Sequence, residues 1–285
     1  MLVALPNGLG SRVRWPRPGA LRRLARRRFP RHLLALGAIV LAVTALTFAI
    51  TEILPGDLAV AILGESATPE QVAQLRQELG LDRPTWERYL EWLASVASGD
   101  LGYSYRSNES VAQMIWDRVP ITIELILLSQ IIALGLAIPS GILAAYRVRR
   151  TFDRVTGGLA VGFQSTPAFL IGIVLIYALS VHAGIFPASG FRYPEEGLGA
   201  NLLSMTLPAL TLALAEYPVY MRLLRADMIQ TLQQEFILVA RAKGLRPRQI
   251  LLRHALKPSS FSLVTVVGVN MGRLIGGAVI IETLP

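Results

Sequence analysis

Apolar positions gather into five long runs, roughly 33–54, 120–146, 156–182, 202–221 and 259–282. A helix needs about 20 residues, at about 1.5 Å each, to cross the hydrocarbon core of a bilayer. The pattern therefore predicts an all-α polytopic membrane protein with five transmembrane helices. The first run follows a basic segment, as a secretory signal would. Its apolar stretch is too long for a signal core, no small-x-small cleavage site closes it, and Leu54-Pro55-Gly56-Asp57 reads as a helix stop, so a retained anchor is expected. Between the first two runs, Thr68-Pro69-Glu70-Gln71 offers an N-cap, a proline at the first helical position and a capping-box glutamine. Val72, Leu75 and Leu79 then share a face that Gly80 can end, and a second helix is expected near Pro84. Its stripe of Trp86, Tyr89, Leu90, Leu93 and Val96 reads as a packing face.

Composition agrees with the pattern. Of 285 residues, 53% are hydrophobic and 16% charged, against about 25% charged in soluble domains, and the mean hydropathy is +0.49. The absence of cysteine excludes disulfides, thiolate metal sites and cysteine nucleophiles. The net charge of +9 resembles a nucleic-acid binder until it is mapped: residues 1–31 hold nine arginines and no acid, so residues 32–285 carry 19 basic and 19 acidic residues. No nucleic-acid partner is expected. The remaining charges sort by side. With the amino terminus inside, segments 1–31, 147–154 and 222–258 hold 9, 4 and 8 basic residues and three acids, Asp153, Asp227 and Glu235; segments 55–119 and 183–201 hold six arginines and twelve acids. Such a bias places the amino terminus in the cytoplasm and the end of the fifth run outside. The tail 1–31 serves either as a topology signal or as a contact for anionic membrane lipid.

Chemistry is sparse. His32, His182 and His254 lie in separate parts of this topology, and no HExxH, GxSxG or GxxxxGK motif occurs, so neither catalysis nor nucleotide binding is expected of this chain. Charged residues in the runs are more informative, because a charge in hydrocarbon needs a partner or water. Glu52, Glu124 and Glu282 fall near the outer boundary. Arg273 lies mid-run and either pairs with an intramembrane acid such as Glu216 or faces a watery path; Glu216, Asn270 and Arg273 are the candidates for a translocation path. Gly268, Gly272 and Gly276, and Gly158 with Gly162, recur at the four-residue spacing that lets membrane helices approach closely, within one chain or between chains. Pro139, Pro167, Pro208 and Pro218 are expected to interrupt the helices, which must then pack together or line a cavity.

Segment 222–258 carries the clearest motif. Glu235-Phe236-Ile237-Leu238-Val239-Ala240-Arg241-Ala242-Lys243-Gly244 reads as a helix with bases at its negative carboxyl end and Gly244 as a left-handed cap. Pro247 then opens a further helix. The product is a helix–turn–helix elbow whose small residues, Ala240, Ala242 and Gly244, allow another protein to approach the backbone.

This elbow resembles the EAA loop of ABC importer permeases. Ala240-Arg241-Ala242-Lys243-Gly244-Leu245 followed by Arg253-His254-Ala255-Leu256-Lys257-Pro258 is similar to the dipeptide/oligopeptide/nickel type. So are Leu54-Pro55-Gly56-Asp57, Leu79-Gly80-Leu81-Asp82-Arg83-Pro84, Gly99-Asp100-Leu101-Gly102 and Ile281-Glu282-Thr283, in the family's order from about residue 33 to 285. The resemblance implies a type I ABC importer permease fold in a bacterial inner membrane, with residues 32–285 as the transmembrane domain behind the 1–31 tail. It implies ATPase coupling through Glu235, Ala240, Arg241, Ala242 and Gly244, with ATP and Mg held by two cytoplasmic ATPase subunits and no cofactor in this chain. An extracytoplasmic substrate-binding protein would meet the outer loop 55–119. A second permease chain would complete the core, with the Gly268/Gly272/Gly276 face as a contact. The family has six spans, one more than the five read here, and the arginine tail is longer than its pattern. The implied function is ATP-driven import of peptides by alternating access; nickel, glutathione or oligosaccharide are alternative solutes, and a partner-binding membrane scaffold is the alternative of another class.

Overall fold

The computed structural model describes the backbone of residues 18–53, 58–64, 67–104, 107 and 109–282, and the side chains of these residues at 31, 33–50 and 58–274. It forms two compact units, Met1–Met114 and Ile115–Pro285. Leu54-Pro55-Gly56-Asp57 and the side chains of Glu52 and Glu282 lie outside this description.

In the first unit, α1 (Pro18–Ile53) begins well before the first apolar run, so the basic residues from Arg22 onward continue the same helix. Short α2 (Leu58–Leu63) leads to α3 (Pro69–Glu78). Thr68 and Gln71 form the expected capping box: each accepts the other's backbone N–H. At the other end Gly80 takes φ +62; its N–H bonds the Gln77 carbonyl while that of Leu81 bonds Arg76 at 2.9 Å, a Schellman stop. Next, α4 (Thr85–Ala97) starts directly after Pro84. It packs on α1 through Tyr89, whose hydroxyl donates to the Leu41 carbonyl at 3.1 Å and whose ring meets Phe48 at 5.7 Å. Trp86 and Leu90 of the same stripe stay exposed. A two-residue hairpin, β1 (Tyr103–Ser104) with β2 (Glu109–Ser110), precedes α5 (Val111–Tyr146).

The second unit holds the packed bundle. Here α6 (Thr151–Ser165) and α7 (Ala168–Leu175), extended by a π-turn over Ile176–His182, occupy the run read as a single span, but they meet at 106°. The residue before a proline is pushed out of the helical region, and Thr166, at φ −100 and ψ 126, is extended before Pro167. The interruption expected at Pro167 falls at this break, just after the polar step Gln164-Ser165-Thr166. A short 3₁₀ turn (Pro194–Glu196) enters α8 (Leu198–Leu232), which outlasts the 202–221 run by more than two turns and absorbs the start of the 222–258 segment. Pro139, Pro208 and Pro218 do not interrupt their helices; among the four candidates, only Pro167 marks a break. The chain continues through α9 (Glu235–Ala242), α10 (Pro247–Gln249), a π-turn over Ile250–Ala255 and α11 (Leu256–Glu282). Among the described residues three helices, within α1, α5 and α8, are long and apolar enough to cross a membrane, or four with the bent α6–α7 pair.

Packing centres on α8, which touches α6, α7 and α11. Small residues set the closest approach, though not the expected glycines. Ala133, Ala137, Gly141 and Ala145 recur every four residues down one buried face of α5, and a Cβ on Gly141 would stand 3.1 Å from the Met221 carbonyl oxygen. By contrast, a Cβ on Gly158, Gly162, Gly268 or Gly272 meets nothing within 4 Å, so these four make no tight contact inside the chain. Gly276 lies outside the described side chains.

Polar ties fasten the lower part of α8. Arg225 grips Asp153 of α6 with two bonds, 2.5 Å from Nε and 2.8 Å from the second guanidinium nitrogen. One turn earlier, Arg222 bonds Gln164 near the other end of α6. Ser259 of α11 donates to Thr231 at 2.9 Å.

Candidate functional site

Two groups of expected residues can be placed. The first is the elbow. Helix α9 follows α8 after only Gln233 and Gln234, and it is amphipathic at helical spacing: Ile237 and Ala240, 0% and 5% exposed, sit in the main core with Ile250, Leu251 and Leu263. Gly244 takes φ +74, as its cap role requires. Its N–H bonds the Arg241 carbonyl at 2.9 Å, and that of Leu245 bonds Ala240 at 3.2 Å. This is the same stop that ends α3, and α10 then begins at Pro247 as expected.

The burial of Ala240 changes one assignment. Its small side chain fits the chain's own core, so it seats α9 rather than offering space to another protein. Glu235, Arg241, Ala242 and Gly244 are exposed and remain free to meet one. Three residues not singled out in the sequence join them: Phe236, Leu238 and Val239, 47%, 56% and 52% exposed. Their signal was present, since an eight-residue helix with Ile237 and Ala240 inside must turn its other apolar residues out.

The second group lies in the bundle. Glu216, Asn270 and Arg273 come together: the Asn270 amide and the Arg273 guanidinium each donate to one Glu216 carboxylate oxygen at 2.6 Å. The Glu216 side chain is 4% exposed, while that of Arg273 is 68% exposed. Arg273 thus both pairs with the acid and keeps an open face. Charge-assisted bonds to both oxygens satisfy a carboxylate that hydrocarbon could not. One turn along α8, buried Tyr220 donates to Gln130 Oε1 of α5 at 2.9 Å, so polar ties link α8 to both α11 and α5. Near the start of α8, Asn201 donates to Glu124 and to the Arg192 carbonyl. Among the described residues there is no cluster of three or more histidine or acidic residues able to hold a metal.

Residues 137–285 match the family described as binding-protein-dependent transport system inner membrane component, and residues 24–126 match its N-terminal family. The dipeptide transport system permease protein of Escherichia coli K12 is 35% identical over 268 residues, covering 86% of this chain and 79% of that protein. A Brucella abortus protein named for peptide transport as a permease is 38% identical over 247 residues, covering 86% and 78%. A Sinorhizobium fredii protein named as a peptide ABC transporter permease is 32% identical over 254 residues, covering 89% and 81%. With both family regions matched in order, this chain belongs to the inner-membrane components of binding-protein-dependent transport systems.

Proposed function

We propose that the chain is a permease subunit of a peptide importer, and that α9 is where cytoplasmic ATPase subunits drive it. Peptide is the solute named for the relatives above. The observation that carries the coupling role is the division of α9 into a rooted face and an offered one. Ile237 and Ala240 fix it in the bundle, while Phe236, Leu238, Val239, Glu235, Arg241, Ala242 and the Gly244 bend stand exposed. A short helix held this way moves as part of the bundle when something grips its outer face. ATP and Mg belong to the two gripping subunits, and this chain supplies no catalysis. The amino terminus is cytoplasmic, the 55–119 segment faces the binding protein outside, and a second permease chain completes the path. The uncovered Gly268 and Gly272 of α11 fit a contact between chains better than one within this chain. Glu216, Asn270 and Arg273 contribute a polar patch to the path.

The test uses the assembled transporter in proteoliposomes with dialanine and its binding protein. Gly244→Asp, or Glu235→Ala with Arg241→Ala, is expected to leave the permease inserted but to lower uptake per ATP hydrolysed at least tenfold. Unchanged uptake and stimulated ATPase turnover in both variants would remove α9 from the coupling role.

A further inference from the structure

We propose that the Arg225–Asp153 ion pair is a positioning pair that carries movement of the α9 elbow sideways into α6 and the bent α6–α7 segment. The proposal rests on the coupling reading of α9. Arg225 stands seven residues before Leu232, the last residue of α8, and α9 starts at Glu235. About 10 Å of helix, at about 1.5 Å per residue, therefore separates the pair from the end of α8. That end is also fastened to α11 through Ser259 and Thr231, so the lower part of α8, the elbow and the start of α11 form one block. What must follow this block is α6.

The bond between them is suited to transmit rotation as well as displacement. Both Asp153 oxygens are engaged by the planar guanidinium, at 2.5 and 2.8 Å, which fixes orientation as a single contact or an apolar surface would not. The Asp153 side chain is 8% exposed and that of Arg225 30%, so water competes little for the acid. The same carboxylate accepts the Arg149 N–H at 2.8 Å, and Arg149 sits at φ +63, a conformation that side-chain-bearing residues rarely adopt. One acid thereby holds the 147–150 turn, the first turn of α6 and α8 together. Arg222, one turn away on α8, bonds Gln164 beside the Thr166–Pro167 break, so α6 is held near both ends from adjacent turns of α8. Displacement of α8 then has a route to α7 across the 106° bend, beside the direct packing of α7 on α8.

The absence of cysteine makes single labels specific. Two versions of the full permease, in its assembled complex in proteoliposomes, would carry an environment-sensitive fluorophore: Val174→Cys reports on α7 and Gln230→Cys on lower α8. Both labels are expected to respond when ATP is trapped with vanadate. Asp153→Asn should lower the Val174 response at least fivefold and leave the Gln230 response within twofold. A Val174 response kept within twofold in Asp153→Asn overturns the relay. Equal loss at both labels does so too. Silence of both labels without any change at Asp153 overturns the coupling reading of α9 and leaves the ion pair without that role.

Discussion

Glu216 puts an acid where α8 and α11 meet, and its two bonds at 2.6 Å make it tolerable there. Removing the cation beside a buried acid leaves that acid uncompensated, whereas removing both charges costs less. Arg273→Gln alone should therefore lower the thermal midpoint of the purified complex more than Glu216→Gln with Arg273→Gln. The cycle should show a coupling of at least ~1 kcal/mol. Strictly additive midpoint shifts would mean that the two side chains act independently. Gly141 and Gly158 make a second contrast. A branched side chain at Gly141 drives into the Met221 carbonyl and Leu224, so Gly141→Val should destabilise by about 1–3 kcal/mol. At Gly158, where a Cβ meets open space inside a helix, Gly158→Ala should instead be neutral or stabilising by up to ~1 kcal/mol. Thermal unfolding of the two variants decides it, and shifts of the same sign and size would contradict the packing described here.

Helix ends were legible because their chemistry is local. The Thr68–Gln71 box, the Gly80 and Gly244 stops, and the starts after Pro84 and at Pro247 each need only a few neighbouring residues, and each is where the sequence placed it. Helix paths were not legible in the same way. All four prolines are expected to interrupt their helices, yet Pro167, after the polar step Gln164-Ser165-Thr166, breaks a run, while Pro139, Pro208 and Pro218 sit in unbroken helices. The difference lies in what surrounds each turn: Pro218 is among the most fully buried residues, inside the helix that the others pack around. The same limit hid the Ala133–Ala137–Gly141–Ala145 face behind more conspicuous glycines, and hid the burial of Ala240. For the candidate site, residue types suggested that Glu216 and Arg273 could pair, but only the crossing of α8 and α11 brings them together with Asn270. Local chemistry also makes a quantitative expectation. Thr68→Ala removes a capping-box acceptor, costing about 1 kcal/mol, so amide exchange in the first turn of α3 should quicken about fivefold while that of α4 is unchanged. Equal protection in α3 would mean that tertiary contacts, not the cap, hold its start.

At the scale of the whole molecule, charge and apolar length make one combined statement about sidedness. The basic excess of 1–31, 147–154 and 222–258 and the acidic excess of 55–119 and 183–201 alternate along the chain. The elbow lies in a basic segment, in which Arg241, Lys243, Arg246 and Arg248 are all exposed. Moving that segment outside would carry its eight bases across the membrane and leave the acids of 55–119 against the inner leaflet, reversing the bias that sets orientation. Single cysteines can test this arrangement, because the chain has none of its own. Ser189 lies exposed in 183–201, and Lys243 lies exposed at the end of α9. In intact cells with a permeable outer layer, a membrane-impermeant maleimide should label Ser189→Cys fully and Lys243→Cys by less than about a tenth as much, given retention of the basic segments inside. Opening the inner membrane should equalise the two. Strong labelling of Lys243→Cys from outside would invert the topology, and α9 could then receive no drive from cytoplasmic ATPases.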